Sequence, residues 1–174
     1  MRFLALLLAL AALPAAAQHD HAAMHSRHAA DPSASASPSL SSDEAEGLLV
    51  GRGMGMAKAA ELNGYPGPMH VLELEDALAL TPEQRAEAER LMTEVKAEAR
   101  ALGEQIVAHE RALDEAFAQG RATPALVGAA TAEVGALRGR LRAAHLKAHL
   151  AMRAALTAEQ SARYSALRGY TDSE

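Results

Sequence analysis

The chain has 174 residues, a formal net charge of −5 and no cysteine. An acidic balance argues against a nucleic-acid-binding protein, which carries a strong basic excess, and the lack of cysteine excludes disulfide bonds. Aromatic residues make up only 3% of the chain and tryptophan is absent. We therefore expect a core of Ala, Leu, Val and Met side chains between closely packed helices.

The first 17 residues have the composition of a secretory signal peptide. Arg2 precedes an apolar run from Phe3 to Leu13, Pro14 ends that run, and three alanines at 15–17 suit a signal peptidase. The apolar run is shorter than the roughly 20 residues that a membrane-spanning helix needs. We predict cleavage after Ala17, export to the periplasm and no stable membrane insertion. A retained membrane anchor is the alternative.

Residues 18–40 contain few large apolar side chains and many Ala, Ser, His and Pro residues, a composition typical of a disordered tail. This tail carries four closely spaced histidines, His19, His21, His25 and His28. Imidazole is a good ligand for Zn(II), Cu(II) and Ni(II). We predict that the tail binds one of these ions, and a polar tail without a ligand is the alternative.

From Ser41 to the end of the chain the pattern is helical, which predicts one all-α domain over residues 41–174. Ser, Thr, Pro and Gly residues mark where helices begin and end. Thr81-Pro82 and Thr123-Pro124 are the clearest start signals, because threonine caps a helix and proline is tolerated at its first position. The predicted helices span residues 41–62, 69–79, 82–119, 124–155 and 157–169.

Apolar residues recur at helical spacing on both long helices, which indicates one buried face on each. Two long helices joined by a short turn lie antiparallel. A thin hairpin leaves part of its apolar face uncovered, so short flanking helices and a second subunit in a homodimer are expected to cover it. The apolar positions are Leu91, Val95, Leu102, Ile106, Leu113 and Phe117 on the first helix, and Leu126, Val134, Leu137, Leu141, Ala148 and Met152 on the second.

A five-residue pattern, Leu-Thr-x-x-Gln, occurs twice and brackets the predicted hairpin. Its residues are Leu80, Thr81 and Gln84 in the first copy and Leu156, Thr157 and Gln160 in the second. In each copy the threonine is a candidate N-cap and the glutamine can return a hydrogen bond to the cap. Two copies around a helical hairpin behind a signal peptide resemble the Spy/CpxP family of periplasmic proteins. That broad group includes zinc-binding ZraP-type and metal-sensing CnrX-type proteins.

The resemblance covers roughly residues 69–169 and implies a curved antiparallel helical dimer in which both motifs are structural. It implies an ATP-independent chaperone or envelope-stress accessory protein that binds unfolded periplasmic proteins or a sensor kinase. The alternative it leaves open is a periplasmic sensor or buffer of Zn, Cu or Ni. Positive charge for client binding is concentrated on the second long helix, where a solvated helix face is the alternative; the residues are Arg138, Arg140, Arg142, Lys147 and Arg153.

A second candidate metal site lies on the hairpin. His145 and His149 are four residues apart, a spacing that places both on one helix face. If the turn is centred near residues 121–122, they face Glu98 and Glu94, and two imidazoles with two carboxylates form a zinc-like site. A set of exposed polar pairs is the alternative. His109 lies on the apolar stripe, where a hydrogen-bonded interface histidine is favoured over a ligand.

Nothing in the sequence indicates an enzyme or a required cofactor. The glycines at 51, 53 and 55 lack the spacing and the preceding strand of a dinucleotide-binding loop. His70 has Glu73 and Glu75 nearby, but no nucleophile accompanies it. We therefore expect a binding protein that is not an enzyme. No role follows from the sequence for residues 51–68.

Overall fold

The computed structural model describes residues 37–170, and the predicted signal peptide, with residues 18–36 of the predicted tail, lies outside them. The described residues form seven helices and no strand, which confirms the all-α prediction. The helices are α1 (Ser42–Val50), α2 (Lys58–Glu61), α3 (Pro68–Glu73), α4 (Glu75–Leu78), α5 (Pro82–Ala118), α6 (Pro124–Ala155) and α7 (Ala158–Leu167).

The starts of the two long helices and of α7 agree with the cap signals in the sequence. The side chains of Thr81 and Thr157 each accept a hydrogen bond from the backbone N–H three residues on. The side-chain oxygens of Gln84 and Gln160 in turn accept a hydrogen bond from the backbone N–H of the capping threonine. Thr123 caps α6 through the N–H of Leu126. These signals are local, so they act whatever the rest of the chain does.

The frame of the molecule is the antiparallel hairpin of α5 and α6. Helix α5 has 37 residues and is therefore about 55 Å long. Helix α1 packs across its middle at Gly103, where an added Cβ would lie 2.1 Å from the carbonyl oxygen of Leu48. The lack of a side chain at Gly103 thus allows the backbones of two helices to meet.

Buried apolar side chains form two clusters along this hairpin. One joins α1 to the middle of α5 and α6 and includes Leu48, Ile106 and Leu137. The other, with Met152 and Tyr164, holds α3, α4 and α7 at the open end of the hairpin. The short helices thus cover the hairpin as predicted, whereas the second subunit stays a prediction.

The segment before the hairpin differs from the prediction of one helix over residues 41–62. Helix α1 ends at Val50 because Gly51 takes a left-handed conformation, with φ 71°, and its N–H closes the helix. The chain then makes a glycine-rich turn and forms only the short α2. The predicted helix over 69–79 is likewise two short helices, because Leu74 leaves helical geometry between them.

The burial of two residues, Leu40 and Phe117, differs from the prediction. Leu40, assigned to the tail, is buried beside Ala45, and Ser37 donates a hydrogen bond to Asp114. Phe117, assigned to the buried stripe, is 59% exposed. It lies in the last turn of α5, beyond the end of the first core cluster, whose last residue on α5 is Val107.

Candidate functional site

The two histidines of α6 lie inside the protein. His145 and His149 are each only 8% exposed, one helical turn apart. The two histidines are therefore not exposed, whereas Glu94 and Glu98, the other members of the predicted pairs, are exposed. A buried polar side chain is costly unless it is hydrogen-bonded or bound to a ligand, so the surroundings of both rings decide what this pair does.

The segment between α1 and α3 covers both rings, and this gives residues 51–68 a structural role. The backbone at Gly53 lies against the His145 ring, with a built Cβ 3.9 Å from Cε1. Gly67 is closer to His149, since a Cβ there would lie 2.9 Å from Nε2. The lack of a side chain at Gly67 thus allows the covering segment to approach the His149 ring this closely.

The hydrogen bonds of the pair leave nitrogen atoms available. His149 Nδ1 lies 2.9 Å from the carbonyl oxygen of Tyr65. A carbonyl only accepts, so Nδ1 carries the proton and the neutral ring presents the Nε2 lone pair. Nε2 of His145 is buried without a hydrogen-bond partner. An imidazole oriented by a backbone carbonyl is a feature of histidines that bind metal ions, and the second imidazole has a nitrogen without a partner.

Electrostatics favours the neutral form of His145. Burial lowers its pKa below the ordinary value of 6.5, the neighbouring His149 lowers that pKa further, and the carboxylate of Glu98 opposes both effects. A neutral imidazole is the form that binds metal ions. His145 therefore stays able to bind a metal ion at pH values where an exposed histidine begins to be protonated.

Both histidines line a cavity of about 490 Å³ between α6, α5 and the covering segment. Its other walls are rich in methionine. Four of the seven methionines in the chain line it, together with His70 and Glu61; they are Met54, Met56, Met69 and Met92. The cavity thus brings together methionine and histidine side chains from four separate parts of the chain.

One wall of the cavity is a polar network centred on Glu61. Its carboxylate accepts hydrogen bonds from the hydroxyls of Tyr164 and Tyr170 and lies 3.5 Å from Nε2 of His70. Burial raises the pKa of Tyr164 to about 12, and the Glu61 charge adds to this shift. His70 also contacts Glu73 at 2.8 Å, the neighbour expected from the sequence. These contacts hold the carboxylate of Glu61 in place.

The predicted site of two histidines and two glutamates is not assembled in the structure. Glu94 is exposed and binds Arg90 at 2.6 Å, and Glu98, also exposed, reaches His145 only through its charge. Within residues 37–170 no three His, Asp or Glu side chains are close enough to hold a metal ion together. The predicted register of α5 and α6 correctly placed Glu98 near His145. The two imidazole rings, however, face the covering segment and not the glutamates.

The two Leu-Thr-x-x-Gln motifs meet at the open end of the hairpin. The side-chain amides of Gln84 and Gln160 donate to each other, at 2.8 and 2.9 Å. Each also donates to a backbone carbonyl beside the other motif, of Ala155 and Leu78 respectively. With the cap bonds, every donor and acceptor of both amides is used. The motifs are structural, and their mutual contact was not predicted.

Three other sets of residues were singled out in the sequence: the tail histidines, His109 and the basic residues of α6. The tail histidines His19, His21, His25 and His28 lie outside the described residues. His109 is half-buried in a shallow groove near the hairpin turn, away from the cavity. Of the basic residues on α6, Arg138 is bound to Glu44 and Glu110, at 2.8 and 3.4 Å, and so ties α1 to the hairpin.

The methionines are what the sequence interpretation missed. Met54 and Met56 alternate with glycines in a segment for which no role was predicted, and Met69 and Met92 are isolated in the sequence. Only the Met54/Met56 pair offered a signal, because soft thioether ligands close together suit a soft metal ion. No local pattern shows that α3 and α5 contribute the other two.

The fold and this cavity can be compared with known proteins. No helix within residues 37–170 is long and apolar enough to cross a membrane. No curated protein and no solved structure matches the chain. A family model does match residues 47–163, which include the hairpin, both motifs and all the cavity residues named above, and its description is heavy-metal resistance. The chain therefore belongs to the heavy-metal resistance family, the group of periplasmic Leu-Thr-x-x-Gln proteins whose motifs it carries.

Proposed function

We propose that this protein binds a heavy-metal ion in the periplasm, and that it contributes to metal resistance as a binding protein and not as an enzyme. The observation that carries the proposal is the buried pair His145 and His149 at the wall of a cavity, with Nε2 of His145 lacking a partner. A metal ion is the ligand that would satisfy two neutral imidazoles one turn apart.

The residues present fit a metal ion better than an organic ligand. A pocket for a small organic molecule combines apolar walls with hydrogen-bonding groups aimed at it. Here the side chains that line the cavity include two histidines, one of them oriented by the carbonyl of Tyr65, and four methionines. All of these are electron-pair donors when the imidazoles are neutral, and a cation is the partner they share.

The proposal includes the histidines of the predicted tail as a second, weaker site. His19, His21, His25 and His28 precede the cavity by fewer than 40 residues in sequence, so the tail can capture an ion near the protein surface. This part of the proposal rests on the sequence alone. It is separable from the cavity, because either histidine set can be replaced while the other is kept.

A calorimetric titration tests the proposal on the mature full-length chain. A tail variant, with His19, His21, His25 and His28 replaced by Ala, is titrated with Zn(II), Ni(II) and Ag(I). We expect one ion per chain to bind with about micromolar affinity or better for at least one of these metals, a free energy near −8 kcal/mol.

Two further variants locate the site. Adding His145→Ala and His149→Ala to the tail variant should abolish this binding, whereas adding His109→Ala should leave it unchanged because His109 lies outside the cavity. If the tail variant binds none of the three ions, the cavity is not a metal site. Equal binding with and without the α6 pair would also contradict the proposal.

A chaperone activity is a second candidate, favoured by apolar surface away from the cavity. Phe117, the only phenylalanine after the predicted signal peptide, is 59% exposed. Leu49, Val107 and Ala112 line a shallow groove along α1 and α5. Exposed apolar surface of this kind suits unfolded protein segments. Light scattering of a denatured client tests this: the protein should slow aggregation without ATP, and Phe117→Ser should weaken the effect.

A further inference from the structure

The cavity residues also indicate which class of metal ion would bind. The inference rests on the metal-binding function proposed above and concerns the donors that would complete the coordination of His145 and His149. Among residues 37–170 the hard and borderline ligands do not form a group of three. Two imidazoles alone do not fill the four positions that Zn(II) takes in protein sites. Further ligands in the cavity would come mainly from methionine.

Four methionines reach this cavity from three directions. Met54 and Met56 come from the covering segment, Met69 from α3 and Met92 from α5. Met152 is also close in sequence to His149, but it is fully buried in the core and does not line the cavity. The clustering therefore does not follow simply from methionines lying near the histidines.

Two of these methionines are more exposed than core residues, whereas Met56 is partly buried and packs against the first core cluster. Met54 is 40% exposed and Met69 is 46% exposed. A methionine that only fills the core is buried, as Met152 is. Met54 also has a left-handed backbone conformation, with φ 44°, which residues other than glycine rarely adopt. Met54 lines the cavity, and its sulfur packs beside Gly47 of α1, where an added Cβ would lie 2.5 Å from Sδ. This thioether would reach an ion in the cavity once the covering segment moves.

We propose that the cavity is a site for a soft monovalent cation, Cu(I) or Ag(I), bound by His145, His149 and thioether sulfurs of the four cavity methionines. Thioether ligands select Cu(I) over divalent ions of the same size range, and imidazole accepts both. Nε2 of His145 is buried in the structure, so entry of an ion would require a local movement, which we place in the covering segment. Glycines at 53 and 55 supply the backbone freedom for that movement.

Ag(I) is the probe, because it has the ligand preference of Cu(I) and needs no reductant. The test uses the mature full-length tail variant described above, with Met24→Leu added so that the tail carries no thioether. Its methionine methyl groups are labelled with ¹³C and followed by NMR during titration with silver nitrate in chloride-free buffer. The methyl signals of Met54, Met56, Met69 and Met92 should shift together at one equivalent, and that of Met152 should not.

Affinity gives the second readout. Replacing the four cavity methionines by Leu keeps their volume and apolar character, so the fold should be retained. We expect Ag(I) affinity to fall by at least about tenfold, with Zn(II) affinity changed by less than about twofold. Met152→Leu is the matched control and should leave both unchanged. Single Met54→Leu and Met69→Leu variants, at partly exposed positions, repeat the test without touching the core.

The outcomes separate this inference from the metal-binding function. If Zn(II) or Ni(II) binds through His145 and His149, while Ag(I) binding and the methyl signals do not depend on the four methionines, the soft-ion inference is wrong and the metal-binding function stands. If no ion binds to the tail variant, both are wrong. Shifts confined to the cavity methyl groups, with the selective loss of Ag(I) affinity, establish the soft-ion site.

Discussion

The contact between Gln84 and Gln160 gives the sharpest prediction about stability. Each amide takes part in four hydrogen bonds, and two of these join the amides to each other. A hydrogen bond contributes about 1 kcal/mol net, and a half-buried group left without a partner costs more. In Gln84→Ala the backbone N–H of Thr81 can bind water instead, so the loss comes from the other three bonds. We therefore expect this substitution to lower the free energy of unfolding by about 2–3 kcal/mol.

A double-mutant cycle isolates the contact between the two motifs. Once Gln84 is removed, Gln160 has already lost two of its bonds, so Gln160→Ala should cost less in that background than alone. The expected coupling is about 1–2 kcal/mol. Thr81→Ala, which removes only a cap oxygen, should cost about 1 kcal/mol. Gln105 bonds only to a carbonyl of its own helix on an exposed face, so Gln105→Ala should change little.

Urea unfolding followed by circular dichroism measures all of these free energies, provided that the dependence on urea is the same in each variant. Additivity of the two glutamine replacements within about 0.5 kcal/mol would refute the mutual contact. A loss for Gln84→Ala no greater than that for Thr81→Ala would show that the motif is merely a capping device. Either result would show that the two motifs act independently of each other.

Two further predictions concern packing and pH. Gly103→Ala should destabilise the protein by about 1–3 kcal/mol, because its Cβ would lie 2.1 Å from the Leu48 carbonyl oxygen. Gly139→Ala, whose Cβ would have no atom within 4 Å, should stabilise the protein by about 0.5–1 kcal/mol in the same urea assay. Equal effects of the two substitutions would disprove the close approach of α1 to α5. Because the pKa of His145 is lowered in the folded state, its contribution is present above the unfolded value near 6.5 and is lost as the pH falls below it. Unfolding free energies at pH 7.5 and 5.5 should therefore differ less for His145→Leu than for the unmodified chain, and an unchanged difference would contradict the assigned burial.

The elements that could be predicted from the sequence are those that local chemistry determines. Thr81-Pro82 and Thr123-Pro124 start helices by bonds within a few residues, so these boundaries agree with the structure. The hairpin follows from two long amphipathic helices and a short turn. The resemblance of the paired motifs to the Spy/CpxP group is confirmed by the family match.

What could not be predicted depends on contacts between distant residues. Whether the chain continues a helix through Gly51 is decided by the packing of α1 on α5, where a Cβ at residue 51 would also lie 2.8 Å from the carbonyl oxygen of Lys96. The spacing of His145 and His149 was correctly read as one helix face. The residues around them were not predicted correctly. The face that the two histidines share is covered by a segment without helical periodicity, and the cavity methionines lie far apart in the sequence.

The proposed binding of a heavy-metal ion by His145 and His149 inside the folded protein can be tested directly by thermal unfolding. An ion that binds only the folded state at about one hundred times its dissociation constant stabilises by about 2.7 kcal/mol. For a chain of this size that corresponds to a rise in melting temperature of roughly 5–10 °C. The tail variant is therefore melted with and without Ag(I) and with and without Zn(II), beside His145→Ala and His109→Ala versions of it. We expect a rise of this size for at least one ion, absent in the His145→Ala version and kept in the His109→Ala version. No rise for either ion, or the same rise after His145→Ala, would contradict the proposal.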